Sequence, residues 1–378
     1  MRIAYFVHNL KDPAVRRRLW LLRLGGAEVS LLGFRRSAEP VEAAPGEPVV
    51  DLGRTHDAAM GQRALAVAKA VARTPALRGA VAGRDVIMAR NMETLAVAAA
   101  ARALHAPRAK LIYECLDVHR SLLGEGVKSK AMRWMERGLM SACDQVVVSS
   151  PAFVEHYFEP RQRLSRPWLL IENKLVHDRG LDEAAAFTAG PPPGPPWVIG
   201  WFGVIRCAKS LAMLRQIATA LPGQVKVVIR GQVARHEFDD FDGQVAATPG
   251  MTYLGPYDPS EVSRCYGEVH FSWAIDYFEE GLNSVWLLPN RLYEGGRNGV
   301  PALALAGVET GRWVRERKAG LVLSDPVSDL TARLEAMTPA EYAALRDRVE
   351  TLPPSTFTYD SKDSARLVAA LAAQGAAA

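Results

Sequence analysis

Short apolar runs alternate with helix-patterned stretches along this 378-residue chain, and that alternation restricts it to an α/β architecture built on parallel sheets. The first series reads RIAYFV, a helix through Ala14–Leu24, EVSLLGF, an Ala-rich helix near Ala58–Val81, DVIMA, a helix Glu93–Leu104 and KLIYE. After a helix Met132–Ser141 it resumes with DQVVVSS, a helix from Pro151 and WLLIEN. Strands joined through a helix must cross over, and a crossover sets them parallel. Residues 1–175 therefore predict one doubly wound sheet.

Residues 183–196, ending AAAFTAGPPPGPP, can continue neither a helix nor a strand, because each proline removes a donor and fixes φ. They fall within a predicted linker over 176–196. The alternation then restarts with WVIGWFG, a helix Ser210–Ala220, VKVVIRG, MTYLG, EVHFSWA and PALALA, and a helix Asp363–Ala373 closes the chain. The expected organisation is two Rossmann-like doubly wound domains, 1–175 and 197–358, facing across a cleft. Residues 359–378 are expected to cross back to the first. In such sheets ligands bind beyond the carboxyl ends of the strands.

Nowhere do 18 apolar residues run without a charge, and the opening MRIAYFVHNL reads as a strand rather than a signal peptide. A cytoplasmic, non-spanning protein is expected. Cys115, Cys143, Cys207 and Cys265 lie far apart with no metal-ligand spacing, so neither a zinc site nor a disulfide framework is indicated. The net charge of +5 is uneven: residues 1–180 hold 28 Lys and Arg against 18 Asp and Glu, and the rest hold 18 against 23. A basic first half attracts polyanions. With no RRM, KH, zinc-finger or clear helix-turn-helix signature, nucleic acid is not the expected partner. The absence of G-x-G-x-x-G after the first strand disfavours a nicotinamide or flavin enzyme.

The densest chemistry lies in Leu288–Gly296 and Gly299–Ala302, a loop entering a short helix and then a glycine turn into a strand. Free amides at a helix start suit phosphate, and Glu294, one turn on, can accept both hydroxyls of a ribose. This stretch resembles the P-x-K-x-x-E-x-x-x-x-G-x-P signature of GT4-like glycosyltransferases, with Arg291 at the lysine position. The resemblance implies a GT-B fold, a nucleotide-sugar donor, with UDP favoured, and a donor site including Asn290, Arg291, Leu292 and Glu294. The sequence departs from the family's E-x7-E pattern, since Trp286 stands eight residues before Glu294. Asp276, Glu279 or Glu280 can supply the missing carboxylate, or serve as solvated loop charge.

Gly203-Val204-Ile205-Arg206-Cys207-Ala208-Lys209 resembles the family's G-x-x-R-x-x-K clamp. Two cations beyond a glycine turn can flank a diphosphate and stabilise charge on the departing nucleotide. Arg230, at a strand end, can line the nucleobase pocket or simply end a turn. Asp240-Phe241-Asp242 spells the metal-binding D-x-D of other transferases, but the clamp already balances a diphosphate. No essential metal and no cofactor are expected.

In the first half, Asp12–Arg18 and Gly25–Val29 resemble the family's D-P-R-V…G-x-E-V opening, which implies that the loop from His8 to Asp12 faces the acceptor. Tyr113–Arg120 follows a strand, where a carboxylate or imidazole can deprotonate a hydroxyl. Asp117 leads as catalytic base, with Glu114 and His119 behind it. Asn91 lines the acceptor site or caps the next helix, and Glu172-Asn173-Lys174 reads as a hinge.

Lys128–Met140 sets Met132, Met135 and Leu139 on one helical face and Lys130, Arg133 and Arg137 on another, near Trp134. Such a segment can lie in an anionic headgroup layer, or pack on the sheet. With the family's polysaccharide-assembly members, this implies a polyprenyl-diphosphate-linked glycan acceptor at the inner face of the cytoplasmic membrane. The competing readings are a non-hydrolysing nucleotide-sugar 2-epimerase and a non-catalytic binding protein on a degenerate GT-B scaffold.

Overall fold

The computed structural model describes residues 1–37, 49–55, 60–176 and 190–373. Part of the expected linker, 177–189, lies outside them. The chain divides into two compact units, residues 1–178 with 359–378, and residues 179–358.

The first unit is a seven-stranded parallel sheet of β1 (Arg2–Val7), β2 (Glu28–Arg35), β3 (Val49–Arg54), β4 (Val86–Arg90), β5 (Lys110–Cys115), β6 (Gln145–Val148) and β7 (Trp168–Leu170), in the order β3-β2-β1-β4-β5-β6-β7. The order reverses between β1 and β4, which leaves a crevice at their carboxyl ends. Ile3 to Val7 and every residue of β4 are buried, as helices on both faces require. The helix Pro13–Leu24 begins where Asp12 Oδ1 accepts from the Ala14 amide and proline takes the first turn. Its Val15, Leu19 and Leu22 recur at helical spacing and enter the core with Ile3, Tyr5 and Val7. The last helix, Ser361–Ala372, lies so close to Gly25 that a Cβ there would sit 2.4 Å from Ser364 O.

A short strand β8 (Leu175–Val176) precedes the second unit, a six-stranded sheet of β9 (Trp197–Ile205), β10 (Val225–Val233), β11 (Met251–Tyr253), β12 (Phe271–Trp273), β13 (Ala302–Leu305) and β14 (Gly320–Leu323). Its order is β11-β10-β9-β12-β13-β14, all parallel, so its crevice opens between β9 and β12. Trp197, Ile199, Trp201, Val227, Ile229, Phe271 and Trp273 form its centre.

The alternation located most strands and missed β3 and the edge strand β14. The helix expected over 58–81 is interrupted: it runs Met60–Ala72, tightens into a 3₁₀ turn at Thr74–Leu77 and ends with Arg78–Val81. Pro75 has no amide to continue the ladder. The faces expected for Lys128–Met140 are also corrected. The helix Val127–Met140 buries Arg133, Glu136 and Met140, half-buries Met132 and Leu139, and turns Trp134 and Met135 outward.

Candidate functional sites

The carboxyl ends of β1 and β4 in the first unit gather His8, Asp12, Arg90 and Asn91. His8 Nε2 lies 3.1 Å from Asp12 Oδ2, and the same carboxylate caps the following helix through its other oxygen. Burial opposes ionisation of Asp12, but the His8 hydrogen bond and the Arg90 charge bring its pKa down to about 2. A carboxylate so held fixes the imidazole with Nε2–H toward Asp12 and leaves Nδ1 as an acceptor. His8 Nδ1 is buried and has no hydrogen-bond partner among the described residues, as is Asn91 Oδ1. Asn91 has a φ of +70° and makes no side-chain cap bond to the helix Met92–His105. Its amide instead donates to Glu114 O at 2.9 Å. A non-glycine residue held left-handed stores strain and is a frequent mark of a working site.

Glu114 is not at the surface of this site. It is fully buried and accepts from Tyr5 Oη at 2.5 Å, Arg18 Nε at 2.7 Å and Arg90 Nε at 2.8 Å. Burial alone would raise its pKa; the adjacent Arg90 and Arg18 overcome that and hold it at about 2. A buried carboxylate bound to two guanidiniums is a poor base, so its expected catalytic role gives way to a positioning one. His119 also departs from expectation. Its Nδ1 accepts from the Ser121 amide at 3.2 Å and lies 2.8 Å from Ser121 Oγ, capping the helix Arg120–Leu123. Its pKa is lowered, first by burial and then by Arg63 and Arg120. Asp117 sits exposed on the loop after β5.

In the second unit, three glycines line up across neighbouring strands just beyond the sheet's centre. Gly203 of β9 pairs with Gly231 of β10, whose amide donates to Gly255 O at 2.9 Å. Their φ values are +101°, +130° and +80°, and a Cβ at Gly231 would lie 1.8 Å from Gly203 O. Only glycine permits this close approach. The result is a bare backbone shelf with Val204 and Leu254 exposed beside it, two residues sequence reasoning passed over. Arg230, also on β10, bonds Glu268 through Nη2 at 3.2 Å, and its Nε is buried without a partner among the described residues.

Arg206 and Lys209 follow the shelf at the start of the helix Ala208–Ala220. Arg206 rests over the Phe278 ring at 4.3 Å and Lys209 over Tyr277 at 4.2 Å. Lys209 Nζ also bonds Glu280 Oε1 at 2.6 Å. The loop after β12 therefore lies against both cations, shaped by Asp276 Oδ1, which accepts from the Phe278 amide at 2.8 Å. Burial raises the Tyr277 pKa, and Glu280 adds to it. The helix Asn290–Arg297 is tied to the same sheet end by Arg291, whose Nη1 donates to Trp273 O at 3.1 Å. Leu292 and Glu294 are buried on that helix. Asp276 shapes a turn, Glu280 pairs with Lys209 and Trp286 ends a short helix.

Asp240 caps the helix Phe241–Ala246 and Asp242 pairs with Arg235 at 3.1 Å, which accounts for both acids of the D-x-D sequence. Among the described residues no group of three or more His, Cys, Asp or Glu is placed to hold a metal ion. Taken chemically, the second sheet end offers a cleared shelf for a planar group and cations for a dianion. The first offers an imidazole acceptor fixed by a carboxylate.

No profile of a known protein family matches the sequence. The succinoglycan biosynthesis protein ExoL of Rhizobium meliloti (strain 1021) is 44% identical over 376 residues, covering 98% of this chain and 93% of that protein. Among solved structures, sucrose-phosphate synthase from Thermosynechococcus elongatus superposes with a TM-score of 0.71 at 16% identity, covering 98% of each chain. The lipopolysaccharide galactosyltransferase WaaB gives 0.64 at 14%, and WaaG, a glycosyltransferase of lipopolysaccharide biosynthesis, 0.63 at 11%, each covering 97% of this chain and 99% of its own. At such identities the likeness is one of fold, and the fold is GT-B, with two Rossmann-like domains.

Proposed function

We propose, from the premise that this chain belongs to the family of the succinoglycan biosynthesis protein ExoL, that it is a glycosyltransferase of exopolysaccharide synthesis. In this reading a nucleotide-sugar donor, UDP-linked by preference, binds the second unit. A glycan carried on a polyprenyl diphosphate binds the first, at the inner face of the cytoplasmic membrane. The observation that carries the reading is the placing of Arg206 and Lys209 directly beyond the Gly203–Gly231–Gly255 shelf. The shelf accommodates a flat base, and the cations meet a diphosphate whose charge grows as the sugar leaves. Two positive groups then serve where a divalent ion would otherwise stand, so no metal is required. Glu294 accepts the ribose hydroxyls.

On the acceptor side, His8 Nδ1 is the acceptor atom best held by its surroundings, since Asp12 stabilises the imidazolium that forms when a hydroxyl gives up its proton. Asp117 remains the second base.

Calorimetric titration of UDP, GDP and ADP without divalent metal tests the donor site. One of them should bind, and Glu294→Ala should weaken it by about 2–3 kcal/mol if two ribose hydroxyls are lost. Unchanged affinity in a folded variant would remove Glu294 from the site. Binding of none would favour the degenerate scaffold, to which Trp286 at the place of the family's first glutamate already points.

A further inference from the structure

The helix Val127–Met140 in the first unit is built inside out. Its buried side carries charge: Arg133 Nη1 donates to Leu122 O and Gly124 O, both at 2.6 Å. Glu136 accepts from Tyr113 Oη at 2.7 Å and from Tyr157 Oη and Gln162 Nε2. These bonds fix the rotation of the helix. Its outward side is apolar, with Val127 86%, Trp134 73% and Met135 48% exposed, and Ala131 and Gly138 complete the stripe. At 3.6 residues per turn these five positions fall within an arc of about 100°. Lys128 borders one edge of that arc, and Lys130 and Arg137 border the other. No acidic residue lies on the stripe itself.

Beside Trp134 a cavity of about 500 Å³ opens, lined by Glu125, Lys130, Arg133, Trp134, Arg137 and Arg161. Arg161 is held by Leu123 O at 2.7 Å and Glu125 at 3.1 Å, and Arg137 by Arg161 O at 2.6 Å. Lys130 Nζ has no ion-pair partner among the described residues. Five of the six side chains lining the cavity are cationic or aromatic. It opens beside an apolar stripe, on the half of the chain with the basic excess.

We infer that this stripe and cavity are the surface on which the protein docks to a bilayer of anionic lipids, with Trp134, Val127 and Met135 entering the acyl boundary and a headgroup phosphate seated among Lys130, Arg137 and Arg161. An indole with one polar edge suits that interface, and an exposed apolar stripe bordered by basic residues matches an anionic surface rather than a neutral one. Among the described residues no helix is long and apolar enough to cross a membrane, so the contact is made at the surface of the bilayer. The inference deepens the proposed lipid-linked acceptor and rests on that reading for its purpose, while its geometry stands alone.

Co-sedimentation of the full chain with vesicles of about one-third phosphatidylglycerol in phosphatidylcholine tests it. The wild type should pellet with these vesicles, far less with pure phosphatidylcholine, and be released by salt. Trp134→Ala with Met135→Ser, and separately Lys130→Glu, should each lower the partition coefficient about tenfold. These positions are exposed, so the variants should keep the wild-type circular dichroism and nucleoside diphosphate titration. If that titration fails while vesicle binding follows prediction, only the proposed donor site falls. Absence of wild-type binding, or equal binding by both variants, would overturn the docking surface. So would a concentration-dependent dimer without lipid that Trp134→Ala dissolves, since the stripe would then be covered by a second copy.

Discussion

Around β1 and β4 of the first sheet, polar side chains engage one another: buried Glu114 with Arg18 and Arg90, and half-buried Asp12 with His8. At the carboxyl end of β9 in the second sheet, the charges stand on the rim, and the backbone beside them, across β9 and β10, is stripped to glycine. One crevice is stiffened by internal polar pairs that leave His8 Nδ1 and Asn91 Oδ1 buried without a partner among the described residues. The other carries its cations on the rim beside bare glycine backbone. A strand order shared over six strands therefore sets where a ligand can bind, and the side chains at the strand ends set which kind.

The sharpest break of this contrast is Glu114→Ala. It leaves two guanidiniums buried without their carboxylate and should cost about 3–5 kcal/mol in chemical denaturation, whereas neutral effects would mean that the cluster is not structural. The same cluster sets a pH dependence. Glu114 and Asp12 both have folded pKa values near 2, against ordinary values of 4.5 and 3.8. Their contribution is therefore fully present above about pH 5 and is lost as pH falls toward 2. The calorimetric melting temperature of the wild type should drop across that interval, and a flat profile would remove the ion pairs as its basis.

Gly231→Ala tests the second crevice. The new Cβ meets Gly203 O at 1.8 Å from a φ of +130°, so a loss of about 2 kcal/mol is expected, together with weakened nucleotide binding. Retention of full nucleotide affinity in a stable variant would show that the shelf is not the base platform. The smallest effect belongs to Glu280→Gln. Its carboxylate pairs with Lys209, both about half exposed, so it competes with a diphosphate for the same cation. Removing it should tighten inorganic pyrophosphate about two- to fivefold, as expected of an exposed pair. Lys209→Ala should weaken the same ligand. Weakening by Glu280→Gln would make Glu280 a ligand contact in its own right.

Much of this was legible from residue order. Alternating apolar runs announced both sheets, because a strand covered on both faces has no polar side to display. Gly203 before Arg206 marked a turn at a strand end, and Gly299 after Arg291 marked the turn into a strand. β3 and β14 escaped notice because VVDLGR and GLVL offer only short apolar runs at the sheet edges. Glu114, one residue from the exposed loop containing Asp117, resembled a catalytic acid until its partners were known. Two of those, Arg18 and Tyr5, lie 96 and 109 residues away.

The sequence by itself determined the α/β class and the two parallel sheets, both of which depend on local periodicity. Tertiary structure decided which way each charge faces. Whether Glu114 is a base or an anchor, whether Lys209 is exposed or paired with Glu280, and whether Arg133 or Trp134 meets solvent all depend on groups distant in the chain. The cost of burying a charge is set by its three-dimensional neighbours, and no spacing along the chain records them.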